Sequence, residues 1–166
     1  MNAHTLPSLE LSIQYESTHP DLHEAALQHW AQTALAEAMT AYTEANLPYP
    51  FHHAVFALRF CEEEEAKHLN SQYRQKDYAT NVLTFAYGID EQDTLSGDII
   101  ICTAVVQKEA TEQQKPFLHH AAHLCVHGVL HALGYDHIDE EEAQEMECLE
   151  IDILQQLHIP NPYNEA

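Results

Sequence analysis

The sequence predicts a single domain of the α/β (α+β) class, in which a small four-stranded mixed sheet packs against about five helices. The 166 residues fit one domain of ordinary size, which we place at 1–166. Hydrophobic residues make up 45% of the chain and charged residues 20%, a balance typical of globular proteins. Strand-like and helix-like segments follow one another in the order β-α-β-α-β-β-α-α-α, with no internal repeat and no linker.

Two strands and two helices are predicted in the first half of the chain. Residues 1–8 form a loose end, and the alternation of apolar and polar side chains in residues 9–13 indicates a half-buried strand. Residues 20–46 have no glycine or proline after Pro20 and repeat their apolar side chains at helical spacing, which predicts a long helix. The run HAVFALRF at residues 53–60 predicts a strand. Residues 61–73 predict a helix, because their leading acidic side chains suit its first turn.

Two more strands and three helices are predicted in the second half. Residues 81–86 and 97–103 have the composition of strands, and the polar residues 88–96 between them indicate a loop. Pro116 suits the first turn of a helix, and Gly134 suits the point where that helix ends. The predicted helices cover residues 103–114, 116–133 and 139–157.

The composition excludes several classes of function. Six lysines and arginines stand against 27 acidic residues, which gives a formal charge of −21. Nucleic-acid backbones are bound by neutralising phosphates, so we exclude a generic basic binder and expect neither DNA nor a membrane surface as partner. No apolar run is long enough to span a bilayer, and no signal peptide is recognisable. The four cysteines are far apart, which predicts buried or free thiols in a cytoplasmic protein.

Three histidines carry the strongest chemical signal. His127 and His131 are four residues apart, so their imidazoles lie on one face of a helix about one turn apart. Gly134 can turn the chain back and bring His137 to the same ion. Three neutral imidazoles leave the fourth tetrahedral position for water, as in catalytic zinc sites. The pattern therefore predicts one zinc ion (Zn2+) per chain.

The spacing of these histidines is that of the metzincin peptidases, so the predicted metal helix is zincin-like. Gly128 stands where those enzymes have a glutamate base, which disfavours a metallopeptidase. A core-packing role for the histidines is the alternative without chemistry. His123 can support the metal ligands, shuttle protons or, more simply, pack, and we expect His119 and His120 to face solvent.

A second polar cluster precedes the third strand. Arg74 and Lys76 are two of the six basic residues, and a guanidinium followed by an ammonium can hold a phosphate. The alternative is that Arg74 pairs with one of the many carboxylates.

Together these motifs make the chain similar to the YbeY family, the bacterial endoribonucleases and ribosomal RNA maturation factors. The segment HGVLHALGYDH fits that family's signature, H-G-x-L-H-x-x-G-Y-D-H, at every fixed position. Residues 70–85 resemble its second motif, N-x-x-Y-R-x-K-D-x-x-T-N-V-L-T-F, and SGDI at residues 96–99 resembles its third. The chain departs from the family at four positions, Tyr78, Ala79, Thr84 and Ala86. The similarity extends from about residue 9 to residue 163.

The resemblance implies zinc on His127, His131 and His137, a functional arginine at Arg74, and a fold in which the metal helix lines a cleft. It implies cleavage of single-stranded RNA during maturation of the small-subunit (16S) ribosomal RNA, especially at its 3′ end, and a part in ribosome quality control. The expected partner is then the small ribosomal subunit or one of its proteins.

The residue chemistry favours a metal-assisted phosphodiester hydrolase in which Arg74 offsets charge on the phosphate. The motif has no glutamate base, so either a water activated by zinc or a ribose 2′-hydroxyl can be the nucleophile. A non-catalytic assembly factor that binds zinc is the second alternative. With few cations in one cleft, we expect weak binding of free RNA, with a slope of log K against log salt of only about −1.5 to −2. The acidic helix at 139–157 either docks a basic ribosomal protein or is a solvated face.

Overall fold

Four strands form one mixed sheet, and five helices pack against it, in a computed structural model that describes residues 5–76, 79–136 and 138–163. The predicted fold class and order of elements are confirmed. In chain order the elements are β1 (Ser8–Tyr15), α1 (Glu24–Glu44), β2 (His53–Cys61), α2 (Glu63–Arg74), β3 (Val82–Ile89), β4 (Thr94–Cys102), α3 (Thr103–Glu112), α4 (Phe117–Ala132) and α5 (Glu140–Gln156).

The strands lie in the order β1-β2-β4-β3. β1 pairs with β2 and β2 with β4 in parallel, whereas β3 pairs with β4 as an antiparallel edge strand. A bulge between Ala86 and Gly88 inserts Tyr87 into β3, and Gly88 has a φ of 82° there. Bulges of this kind re-aim side chains at sheet edges, and this one lies beside the cleft described below.

The main core lies between one face of the sheet and the helices α1, α4 and α5. Every second residue of the central strands points into it, as the two-residue period of a strand requires. Phe56 of β2 and Ile99 of β4 are fully buried, together with Leu130 of α4. α4 contacts α1, α3, α5, β3 and β4, so its position determines how the rest of the domain packs.

The opposite face of the sheet is covered only in part. α2 packs over one end, where Cys61, Ala66 and Cys102 form a small buried cluster. Arg59 lies on this face and pairs with Glu65 of α2, with Nη2 and Oε1 2.7 Å apart.

The predicted loop at residues 88–96 is wrong, because most of it is strand. β3 continues to Ile89 and β4 begins at Thr94, and the two residues flank a turn held by the Asp90 carboxylate. The polar side chains that suggested a loop lie at the exposed end of a hairpin, where the two strands still pair. The other predicted boundaries differ from the observed ones by a few residues. The largest difference is at the start of α1, which begins at Glu24, and Pro20 lies in the turn before it.

All four cysteines are free thiols, three of them buried and Cys148 exposed, as predicted. Among the described residues, every helix is too short or too polar to cross a bilayer.

α4 approaches the sheet most closely at Gly128. A Cβ atom placed there would lie 2.6 Å from Cγ2 of Ile99 and 3.4 Å from Oγ1 of Thr84. Ile99 is fully buried and its Cγ2 is fixed to the branched Cβ, so it has little room to yield. The absence of a side chain at Gly128 therefore sets the depth at which α4 sits.

We expect Gly128→Ala to lower the free energy of unfolding by up to about 2 kcal/mol, because overpacking costs about 1–3 kcal/mol and the gain in helix propensity returns about 1. Combining it with Ile99→Ala should cost less than the sum of the two single changes, because the clashing methyl is gone. Urea unfolding of the four proteins in chelator measures this. Strictly additive costs would contradict the close contact.

Candidate active site

α4 presents four histidines along one face, His120, His123, His127 and His131, at intervals of three and four residues. The last two are closest: Nε2 of His127 and Nε2 of His131 are 3.0 Å apart, and their rings meet edge to face with centroids 4.5 Å apart. Two nitrogens bound to one zinc at about 2.0–2.1 Å lie about 3–3.5 Å apart, so the pair suits a shared metal.

Arg74 and these two histidines line one cleft of about 680 Å³. β3 forms one wall of the cleft and α4 the other, and residues 134–136 close one end. Gly134 has a φ of 107°, the backbone conformation by which it was expected to end the helix. The structure thus brings together three of the four site residues that the sequence suggested.

Local backbone geometry delivers Arg74 to the cleft. Arg74 is the last residue of α2, and Gln75 follows it in the left-handed conformation, with a φ of 58°. The connector then returns to the sheet at Asn81, whose carbonyl accepts the backbone N–H of Cys102 and whose side chain donates to Glu109. Asn81 therefore anchors the segment between the arginine and β3.

His137, the third predicted ligand, lies outside the described residues. Within the ranges that the structure describes, no group of three or more His, Cys, Asp or Glu side chains is arranged to hold a metal ion. The ligand set of three histidines remains a prediction.

Glu150 of α5 is the functional residue that the sequence interpretation missed. It is fully buried, and its Oε1 accepts a hydrogen bond of 2.6 Å from Nδ1 of His127. Its Oε2 accepts a hydrogen bond of 2.5 Å from the Tyr163 hydroxyl. With Nδ1–H donated to Glu150, Nε2 of His127 faces His131 and the cleft, which is the orientation that a metal-binding imidazole needs.

Hydrogen bonds to Glu150 keep it ionised. Burial alone would raise the pKa of Glu150, but hydrogen bonds from His123 and His127, together with the Tyr163 hydroxyl, lower it to about 2. Burial and the bond to Glu150 in turn raise the pKa of Tyr163. A signal existed in the sequence, because Glu150 falls four residues after Met146 and three before Ile153, on the buried face of α5.

His120 and His123 precede the two cleft histidines on α4 and make hydrogen bonds outside the cleft. Nε2 of His123 lies 3.3 Å from the Tyr163 hydroxyl and 3.5 Å from Oε1 of Glu150. The expectation that His120 faces solvent is wrong, because it is buried and its Nε2 donates a 2.8 Å hydrogen bond to Glu109. Burial lowers the pKa of His120. His119 is half-buried.

The chain is thus a small α/β protein in which one helix carries two neighbouring imidazoles into a cleft that an arginine also lines. The sequence profile of the family described as "Endoribonuclease YbeY" matches residues 12–158. The chain belongs to this family.

Similar proteins named "Endoribonuclease YbeY" cover nearly the whole chain. The one from Bordetella avium is 47% identical over 157 residues, which is 95% of this chain and 94% of that protein. The one from Herminiimonas arsenicoxydans is 46% identical over 166 residues, covering 95% of this chain and 97% of that protein. The solution structure of TM1509 from Thermotoga maritima has the same fold, with a TM-score of 0.53 at 20% identity, covering 93% of this chain and 99% of that one.

The buried carboxylate predicts a pH dependence of folding. Because the folded pKa of Glu150 is about 2 and its ordinary value is 4.5, its charge stabilises the fold above about pH 4.5, and this stability is lost as the pH falls through the folded pKa. Glu150→Gln should therefore cost on the order of 2–3 kcal/mol at pH 5 and progressively less toward pH 2.

Urea unfolding of metal-free protein between pH 2.5 and 6 measures this difference. Glu145→Gln is the matched control, since Glu145 is exposed on the same helix, and its stability should parallel that of the unmodified protein. A cost of Glu150→Gln that stays constant with pH would contradict the account.

Proposed function

We propose that this protein is a zinc-dependent endoribonuclease (a hydrolase of phosphodiester bonds) that cleaves single-stranded RNA in ribosomal RNA processing. The family supports an enzyme acting on RNA. The observation that carries the proposal is that Arg74 shares one cleft with His127 and His131, whose Nε2 atoms are 3.0 Å apart. Maturation of the 3′ end of 16S ribosomal RNA and ribosome quality control, both in the cytoplasm, are the specific roles proposed.

Different side chains of the protein would bind the metal, orient its ligands and bind the phosphate. His127, His131 and His137 would hold zinc, and Glu150 fixes the tautomer of the first of them. When bound, the metal supplies Lewis-acid polarisation of a phosphoryl oxygen and lowers the pKa of a water molecule. Arg74, exposed at the cleft wall, holds the phosphate and offsets the charge that develops on it.

The two alternatives are less well supported. A metallopeptidase of the metzincin type needs a glutamate at position 128, and even a Cβ atom there would lie 2.6 Å from Ile99. A non-catalytic factor with structural zinc would close all four ligand positions with protein groups. Here the two described imidazoles line an open cleft that an arginine also reaches, which suits a substrate.

Cleavage of a defined single-stranded RNA tests the proposal. Protein refolded in chelator and given one equivalent of zinc should cut the strand, whereas His131→Ala treated in the same way should not. End-group analysis separates the two nucleophiles: a 2′,3′-cyclic phosphate indicates the ribose hydroxyl, and a linear phosphate without that intermediate indicates water. Equal cleavage by the two proteins would contradict the proposal.

Arg74→Ala should leave folding and zinc content unchanged and slow RNA cleavage by about 30- to 1000-fold, the effect of losing about 2–4 kcal/mol of transition-state stabilisation. Arg74→Lys should recover only part of the rate, because the bidentate fork is lost. Arg59→Ala is the matched control, because it removes the same charge from an arginine that pairs with Glu65 away from the cleft. Normal cleavage by Arg74→Ala would remove this residue from the mechanism.

The small ribosomal subunit, or one of its proteins, is the partner that we propose. Glu150 is the buried acidic residue of α5. The other six acidic residues of this helix are exposed: Glu140, Glu141, Glu142, Glu145, Glu147 and Asp152. Such a surface is complementary to the basic proteins that coat ribosomal RNA. A plain solvated face is the competing interpretation.

A further inference from the structure

Three aromatic side chains form an exposed cluster next to the cleft. Tyr73 and Tyr87 are 63% and 64% exposed, and Tyr73 meets Phe85 edge to face with ring centroids 5.1 Å apart. The Tyr87 hydroxyl donates a 2.7 Å hydrogen bond to Asp98, the residue that lies opposite Phe85 on β4. Isolated exposed aromatics are common on proteins, but two largely bare tyrosines on either side of Phe85, one in ring contact with it and the other bonded to the residue opposite it, are not.

The cluster is continuous with the cleft. Successive side chains of a strand point to opposite faces, so Thr84 and Ala86 of β3 line the cleft while Phe85 lies on the other face. The bulge after Ala86 places Tyr87 on the same face as Phe85, as its bond to Asp98 shows. Tyr73 immediately precedes Arg74 at the end of α2. An RNA strand whose phosphate is held at Arg74 therefore needs only to cross the edge of β3 to reach the three aromatic rings.

Charge decides what this surface can bind. All six lysines and arginines are among the described residues, and only Arg74 lines the cleft. Arg59 is paired with Glu65, and Lys67 and Lys108 line a separate groove together with four glutamates. A chain with a net charge of −21 cannot obtain much affinity for RNA from phosphates. Besides Arg74 and a metal in the cleft, stacking on aromatic rings can supply affinity, because it acts on the uncharged face of a base.

We propose that Tyr73, Phe85 and Tyr87 form a stacking surface for unpaired bases of the RNA that is cleaved in the adjacent cleft. This inference rests on the proposed function for the identity of the ligand. It accounts for selection of single strands, since paired bases cannot present their faces to a protein ring. The Asp98 carboxylate that holds Tyr87 disfavours a phosphate at this point and leaves base contacts unaffected.

The test measures binding without cleavage. A labelled, unstructured oligoribonucleotide is titrated by fluorescence anisotropy with metal-free protein, up to millimolar concentration, in chelator. Tyr73→Ala and Tyr87→Ala should each weaken binding about 5- to 100-fold, the effect of one lost base stack. Tyr73→Phe and Tyr87→Phe, which keep the ring, should bind nearly as the unmodified protein does. Leu47→Ala removes a 52% exposed apolar side chain elsewhere and is the neutral control.

Two further readouts separate stacking from a general surface effect. The ring variants should keep the slope of log K against log salt, whereas Arg74→Ala should reduce it by about 0.7. A single abasic nucleotide at the stacked position should weaken binding to the unmodified protein and add nothing to the loss in the matching alanine variant.

Unchanged binding by both alanine variants, or no binding by the unmodified protein, would overturn the inference. The proposed function can fail separately. Ring-dependent binding without zinc-dependent cleavage would refute the enzyme and leave the stacking surface intact. Zinc-dependent cleavage that does not depend on the rings would refute the stacking surface and leave the proposed enzyme intact.

Discussion

The contact between Gly128 of α4 and Ile99 of β4 is the constraint on which the candidate site depends. With no side chain at position 128, α4 sinks against the sheet, and the histidine that precedes Gly128 is directed between the cleft and α5. α4 lines the cleft opposite β3, so this close approach bears on the cleft as well. It also leaves no room for the glutamate base that a similar motif carries in peptidases. This packing contact therefore distinguishes the chain from peptidases that share its histidine spacing.

The acidic charge of the protein has opposite consequences at different places. On the exposed face of α5 it forms an acidic surface, whereas at Glu150 a single buried carboxylate is hydrogen-bonded to His127 of the cleft. The rest of the surface repels RNA, so binding must concentrate where a cation, a metal or aromatic rings are available. Arg74, the histidines and the cluster around Tyr73 meet this requirement within one region, which links the proposed chemistry to the proposed choice of single strands.

Much of the fold and of the site followed from local patterns. Helical spacing predicted that His127 and His131 share one face, and the structure brings both into one cleft with Arg74; these signals lie in the sequence near the residue concerned. The contacts that sequence interpretation missed are long-range. Glu150 sits in an acidic helix whose other carboxylates are exposed, and its importance depends on a histidine 23 residues away. His120 was expected in solvent and is buried, with its Nε2 hydrogen-bonded to Glu109 of α3. The end of β3 was taken for a loop because its pairing with β4, and not its composition, makes it a strand.

X-ray absorption at the zinc edge is the most direct test of the central claim that the cleft is a histidine-bound metal centre. Protein refolded in chelator and given one equivalent of zinc should show three nitrogen scatterers and one oxygen at about 2.0–2.1 Å, and this signature should disappear in His127→Ala, His131→Ala and His137→Ala but persist in His123→Ala. Sulfur scatterers at about 2.3 Å, or retention of stoichiometric zinc by all three ligand variants, would contradict the account.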